Sequence, residues 1–325
     1  MSVIANYRLQ IETALKTLNQ KKEPTGLYAP IDYILSLGGK RLRPVFCMAG
    51  CALFDEQMVH KSLPAALSLE VFHNFTLLHD DIMDQSPMRR NQPTVHKKWN
   101  DNTAILSGDA MVILAYQLLA QSPTDKLPQL LDVFNQTALE VCEGQQYDMD
   151  FETRDDVKEE EYIEMIRLKT AVLLGGSLKV GALIGGASDR DAQLIYDFGV
   201  NIGLSFQLQD DWLDVFGDET EFGKPIGGDI VNNKKTYLLI KAMNNLPPQK
   251  KSELKNWCTQ KKFNKQEKIS SVRNLYKVAN VSEHTKKIMN YYFDKSIESL
   301  NKINGSGHIK EELIQQAHQM ITRSR

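Results

Sequence analysis

Asp80-Asp81-Ile82-Met83-Asp84 closes a long apolar run, Leu63 to Leu78, whose ionisable residues are Glu70 and His73. Three carboxylates at the end of a core-like helix are costly unless something cationic meets them. Asp80 and Asp84 stand one helical turn apart on a shared face, and Asp81 lies off it. Like charges at that spacing destabilise a bare helix. A bound divalent cation reverses the sign. Ligation by carboxylate oxygens alone suits Mg²⁺ or Mn²⁺ rather than Zn²⁺. The plainer reading is a solvated helix end with chance acids.

Farther along, the pattern repeats. Asp210-Asp211-Trp212-Leu213-Asp214 has the same DDxxD spacing and also closes an apolar run, Ile202 to Leu208. Two such pentads are hard to assign to composition. Acidic faces set opposite each other would hold several Mg²⁺ ions and clamp a phosphate or diphosphate.

The chain has 325 residues, 42% hydrophobic and 25% charged, with a formal net charge of −2. These are globular values, and the size is one that helical bundles reach as one domain. Nothing in the charge balance points to nucleic acid or a membrane surface. The first 20 residues are amphipathic but lack a signal-peptide core, and no apolar run approaches the ~18 residues of a membrane span. A soluble, cytoplasmic protein is expected. Cys47 and Cys51, one turn apart in an apolar stretch, read as buried thiols rather than a metal site or disulfide.

Helical periodicity dominates on both sides of the pentads. Helices are expected over residues 3–20, 28–37, 44–54, 59 to the first pentad, 103–120, and from 125 through Tyr147. Further helices are expected over 162–185, 190–216, 232–244, 248–262, 265–303 and 309–322. The glycines at 175, 176, 181, 185 and 186 suggest tight helix packing or a kink, since no dinucleotide or P-loop signature is present. No stretch alternates with period two. The expected fold is all-α: one helical bundle over 1–325, with its site between helices.

Several cationic segments accompany the acids. Gly38-Gly39-Lys40-Arg41-Leu42-Arg43-Pro44 is a basic turn opening a helix, suited to an anion. Arg89-Arg90 follow the first pentad and could neutralise a diphosphate or pair with the Asp80 cluster. Lys169-Thr170, Lys224 and Lys234-Lys235-Thr236 add further cations and hydroxyls. His73 lies two turns before Asp80 and reads equally as a core histidine. No zinc pattern, serine elbow or cysteine nucleophile stands out.

Seven ordered stretches now resemble one family, the trans-isoprenyl diphosphate synthases of the farnesyl and geranylgeranyl type. They are GGKRLRP at 38, LLHDDIMD at 77, MRRNQPTVH at 88, EGQQYDMD at 143, LKTA at 168, FQLQDDWLD at 206 and GKPIGGDIVNNKKT at 223. One departure is Asn91-Gln92, where the family usually has Gly-Lys or Gly-Gln. It bears on the geometry of that turn, which it is expected to loosen.

The resemblance implies an isoprenoid-synthase bundle with a central cavity. It implies Mg²⁺-dependent condensation of isopentenyl diphosphate with an allylic diphosphate (dimethylallyl, geranyl or farnesyl). Asp80, Asp84 and Asp210 would be direct ligands of about three Mg²⁺ ions, for which Mn²⁺ could substitute. Asp81, Asp211 and Asp214 would act through water or from behind, and Gln145 and Asp148 would support the site. Arg89, Lys169, Lys224 and Lys234 would hold the allylic diphosphate. Lys40, Arg43, His73 and Arg90 would hold isopentenyl diphosphate. Thr170 and Gln207 would face the carbocation, and the tail Ile321 to Arg325 would close over the pocket. A homodimer is implied as well. Phe75 and Thr76, five and four positions before the first pentad, would set product length: a twenty-carbon product, with fifteen carbons second. The rival readings are a class I terpene cyclase and a non-catalytic subunit of a heteromeric synthase.

Overall fold

A computed structural model describes residues 2–18, 22–217 and 226–322. The chain falls into two compact units: Met1–Asn135, Gly176–Tyr196 and Ile303–Leu313 form the first, and Gln136–Gly175, Asp197–Lys302 and Ile314–Arg325 the second. The all-α class expected from the sequence holds. Among the described residues the one sheet is a two-residue antiparallel ladder, Met88–Arg89 with Gln92–Pro93.

In the first unit the helices are α1 (Val3–Thr17), α2 (Thr25–Ser36), α3 (Leu42–Ala52), α4 (Val59–Met83), α5 (Val95–Lys98) and α6 (Asp101–Leu119). Helix α4 is buried nearly all round from Ala65 to Phe72. That is why its sequence shows a continuous apolar run rather than one stripe. It packs against α3 and α6, and α2 lies on α6. Phe46, Met48, Leu69, Leu78 and Met111 fill the core. The Asn100 side chain accepts from the Thr103 amide at 2.8 Å and caps the start of α6.

Helix α6 departs from one expectation. An 18-residue window of its 19 residues has a mean hydropathy of 1.2, long and apolar enough to cross a membrane by length and composition. Asp101, Asn102 and Asp109 interrupt its apolar run. Its inner face is packed on α4 and α2. Ile105, Leu106 and Ile113 on its other side are 44%, 59% and 62% exposed.

Helices α7 (Leu127–Thr153), α9 (Val172–Ile184) and α10 (Asp189–Phe216) each contribute residues to both units. In the first unit the glycines of α9 serve close packing, as the sequence suggested. A Cβ on Gly181 would fall far inside contact distance of the Cys47 carbonyl on α3, and Cys47 and Cys51 are buried free thiols. Gly181→Ala is expected to lower stability by about 1–3 kcal/mol. A thermal melt within 1 °C of the parent would show that the helices can part without penalty.

The second unit also holds α8 (Glu159–Ile166), α11 (Gly228–Val231), α12 (Tyr237–Asn245), α13 (Pro248–Thr259), α14 (Lys265–Val278) and α15 (Val281–Asn301). Helix α16 (Gly307–Ile321) ends the described chain. Leu238, Leu254, Val272, Leu275, Tyr276 and Val281 pack as one core. Two expected helices are divided. The run at 162–185 is interrupted by a π turn, Arg167–Ala171. The run at 265–303 breaks at Asn280, whose φ of 52° is left-handed. Apolar periodicity continues across that break, so the sequence alone reads through it. Asn is one of the few residues that tolerates such a conformation.

Candidate active site

The cationic turn before α3 is built around a buried ion pair. Gly38 and Gly39 take φ of 73° and 139°, and Arg41 is left-handed at 51°. Arg41 donates from Nη1 to Glu70 Oε1 on α4 at 2.6 Å and from Nη2 to the Leu35 carbonyl at 2.6 Å. Both side chains of the pair are nearly buried, at 4% and 3% exposure. Asn74 Nδ2 donates to Glu70 Oε1 at 3.0 Å. The pair ties the end of α2 and the middle of α4 to the turn, leaving Lys40 exposed on one side of Arg41.

On the other side, Arg43 Nη1 meets His73 Nε2 at 3.1 Å. Burial, then the charge of Arg43, drives the His73 pKa well below its ordinary value. The ring is therefore neutral and accepts at Nε2. Burial pulls the Arg43 pKa down to about 10, so its guanidinium stays charged at neutral pH.

Arg90 reaches the same turn. Its Nη1 donates to the Gly38 carbonyl. Arg90 and Asn91 have φ of 52° and 60°. Two left-handed central residues make the tight hairpin turn whose twist matches its strands. The departure at Asn91 therefore does not loosen this turn, because Asn tolerates φ > 0 where the family uses Gly. Arg43, His73 and Arg90 thus meet around one turn in the first unit, and Lys40 precedes Arg41 in that turn.

At the end of α4, Asp84 is the C-cap and donates its amide to the Asp80 carbonyl at 2.8 Å. Arg89 grips Asp81 with Nε to Oδ2 and Nη2 to Oδ1, both at 2.8 Å, and lies 3.6 Å from Asp80. Burial pushes the Asp81 carboxyl up and the Arg89 bonds pull it back. Asp81 thus orients an arginine, while Asp80 is half-buried and Asp84, one turn on, is exposed. No group of three or more candidate metal ligands is gathered among the described residues. The side-chain donors at the end of α4 are carboxylate oxygens, the hard ligands that Mg²⁺ takes one or two at a time beside water and substrate phosphate oxygens.

In the second unit the wide turn at 167–171 presents Lys169 and Thr170. Lys169 Nζ donates to Asp148 Oδ2 on α7 at 2.6 Å. Gly144 makes room, since any Cβ there would collide with the Lys169 backbone. Thr170 Oγ1 donates to Gln207 Oε1 on α10 at 3.3 Å. π turns of this kind gather at functional sites.

On α10 the acids of the second pentad differ in surroundings. Asp211 is buried, accepts from the Tyr162 hydroxyl, and accepts from Gln207 Nε2 at 3.1 Å. Burial, then Asp229, pushes its carboxyl up. Asp214 Oδ2 accepts from the Asp229 amide at 3.0 Å and so fastens the start of α11. Asp210 lies on the half-buried face. Lys234 is exposed just past α11. Lys224 and Arg323 to Arg325 lie outside the described residues.

Phe75 lies about 140° round α4 from Asp80, whereas Thr76 shares the Asp80 face. The Phe75 ring sits against His79, with centroids 4.8 Å apart, and against Phe72 at 5.6 Å. Phe72 in turn meets Phe134 at 5.3 Å.

Sequence reading missed Arg41, Glu70 and Tyr162 as residues that organise the site. The lone Glu70 within an apolar run was the available signal, because a buried carboxylate demands a partner.

The profile of the polyprenyl synthetase family matches residues 24–276. The geranylgeranyl diphosphate synthase of Sulfolobus acidocaldarius is 38% identical over 303 residues, covering 92% of this chain and 91% of that protein. The geranylfarnesyl diphosphate synthase of Natronomonas pharaonis is 38% identical over 258 residues, covering 74% and 76%. A crystal structure of geranylgeranyl pyrophosphate synthase superposes with a TM-score of 0.94 at 44% identity, over 99% of each chain. The sequence motifs, the helical fold and these relatives agree, and the chain belongs to the polyprenyl synthetase family.

Proposed function

We propose that this prenyltransferase condenses isopentenyl diphosphate head-to-tail with an allylic diphosphate, giving a short-chain trans-prenyl diphosphate and diphosphate. The observation that carries the reading is the meeting of Arg43 with His73 and of Arg90 with the Gly38 carbonyl, a cationic framework that supports a second anion site beside the acids at the end of α4. A cyclase takes one diphosphate substrate, whereas a condensing enzyme needs two anion sites. Both pentads are intact, which also argues against a non-catalytic subunit.

Asp80, Asp84 and Asp210 would hold about three Mg²⁺ ions, with Mn²⁺ able to substitute. Bound there, Mg²⁺ supplies charge neutralisation to the allylic diphosphate. Arg89, Lys169, Lys224 and Lys234 would grip that diphosphate and stabilise it as its C–O bond breaks. Thr170 and Gln207 would offer oxygens toward the allylic cation. The double bond of isopentenyl diphosphate attacks the cation's C1. A proton then leaves the new chain for the departed diphosphate, so no protein nucleophile is needed.

The family profile spans residues of both units, which supports one prenyl synthase domain over 1–325. The exposed apolar side of α6 supports a homodimer. The reading includes a cytoplasmic location and no nucleic-acid partner.

The test is to incubate the purified chain with Mg²⁺, isopentenyl diphosphate and dimethylallyl, geranyl or farnesyl diphosphate, and to separate products by chromatography. Elongation is expected. A cyclised hydrocarbon would identify a cyclase, and inertness without a partner a subunit.

Twenty carbons are the expected main product, with fifteen second. The geranylfarnesyl relative makes a longer product the alternative to watch for in the same assay. Each added isoprene unit gains roughly 4 kcal/mol of apolar burial at ~0.8 kcal/mol per carbon. Steric blocking must therefore set the length. Phe75, backed by Phe72, is the proposed block, and Thr76 leaves the Asp80 face open. Phe75→Ala is expected to lengthen the product and Thr76→Phe to shorten it. An unchanged distribution from folded Phe75→Ala would place the floor elsewhere.

A further inference from the structure

We infer that Lys268 is a positioning residue for Lys234, setting the loop that presents this lysine to the allylic diphosphate. The inference rests on the role proposed for Lys234.

Lys268, on α14, is 1% exposed and is among the largest fully buried side chains of the protein. Burying an ammonium costs several kcal/mol unless it is well met. Among the described residues its hydrogen-bond acceptors and the ring beside it are uncharged. Nζ donates to Asn233 Oδ1 at 2.7 Å and to the Val231 carbonyl at 3.4 Å, and lies 4.2 Å from the centroid of the Phe263 ring. Burial lowers the Lys268 pKa from its ordinary value.

These acceptors are not arbitrary places in the fold. Helix α11 ends at Val231, and Asn233 follows with a left-handed φ of 54°. The Asn233 amide donates to the Ile230 carbonyl at 3.3 Å, and the Lys234 amide donates to the Asp229 carbonyl at 3.0 Å. This pair of bonds is the Schellman arrangement, with Asn233 in the left-handed position and Lys234 next. The Lys268 ammonium sits where the carbonyl end of α11 is negative, and it takes one of the orphan carbonyls. It also holds the side chain of the residue that turns the backbone.

The other end of α11 is fixed by Asp214 of the second pentad, through the Asp229 amide. Lys234 therefore leaves a four-residue helix clamped at its start by an acid of α10 and at its end by Lys268. A methionine in place of Lys268 would fill the space and avoid the desolvation penalty. Its neutral end would leave the Asn233 oxygen and the Val231 carbonyl unmet. Packing thus does not explain a charge at this position, and control of the loop does.

The experiment uses the full chain, with steady-state kinetics for each substrate separately and a thermal melt. Lys268→Met should raise KM for the allylic diphosphate about tenfold while leaving KM for isopentenyl diphosphate within twofold, since small displacements of a binding group cost such factors. Asn233→Gly is the second variant, because Gly keeps the left-handed backbone but removes the acceptor. It should show the same one-sided rise, and the double variant should add little to either single one.

Unchanged KM values in folded Lys268→Met would overturn the inference. So would equal rises for both substrates that follow a lowered melting temperature, which is what a merely structural lysine gives. Lys234→Ala separates the two layers. If it raises the allylic KM while Lys268→Met does not, the inference falls and the role of Lys234 stands. If it is silent for the allylic substrate, the role of Lys234 falls and the inference with it.

Discussion

Asp84→Ala is expected to lower kcat by about three orders of magnitude, since one lost metal ligand removes several kcal/mol of transition-state stabilisation. Asp84 caps α4 on an exposed surface, so helicity and melting should hardly change. Loss of turnover with an intact fold would therefore report chemistry. The Mg²⁺ concentration for half-maximal rate should rise as well. Asp80→Ala and Asp210→Ala should behave alike. Asp81→Ala should be milder in turnover, because Asp81 is spent on orienting Arg89 rather than facing outward. Near-normal turnover of a folded Asp84→Ala protein at ordinary Mg²⁺ would end the metal assignment.

The second large effect is on stability. Arg41→Ala leaves Glu70 buried beside Asn74 without its cation. Breaking such a pair from one side costs about 3–5 kcal/mol, a sizeable share of the 5–15 kcal/mol that holds a typical domain. A fall in Tm of roughly 10 °C is expected. Because the left-handed turn at Arg41 lies between Lys40 and Arg43, KM for isopentenyl diphosphate should rise too. Replacing both partners, Arg41→Met with Glu70→Leu, should recover most of the stability, since apolar groups of similar volume leave no stranded charge. It should not recover the KM, because the bond from Arg41 to the Leu35 carbonyl is lost in both variants. A single variant that melts within 2 °C of the parent would mean that water reaches Glu70.

Features carried by local sequence were legible beforehand: the helical class, both pentads, the cationic turn and the close packing of glycine-bearing α9. What escaped depended on distance along the chain. Arg41 and Glu70 are brought together by helix packing, and residue spacing holds no trace of it. Asn280 breaks a helix in the middle of sustained apolar periodicity, because the core continues on both sides while the backbone turns once. The opposite case is the turn at Arg90-Asn91. The missing family glycine suggested a looser loop, yet a left-handed Asn gives a tight hairpin, because its short side chain tolerates the conformation.

The wide turn at Arg167–Ala171 has a consequence for anyone recombining this chain with a relative. It acts as one surplus residue wound into an otherwise continuous rod, and it lets Tyr162 before it and Thr170 within it both meet α10. Trimming a single residue there would restore regular winding and leave the rod beyond it nearly in place, while turning the side chains inside the bulge by up to about 100°. Lys169 would then leave Asp148, and Thr170 would leave Gln207. The segment 162–171 thus tolerates exchange of letters but not a change of length, and crossover points for chimeras belong outside it.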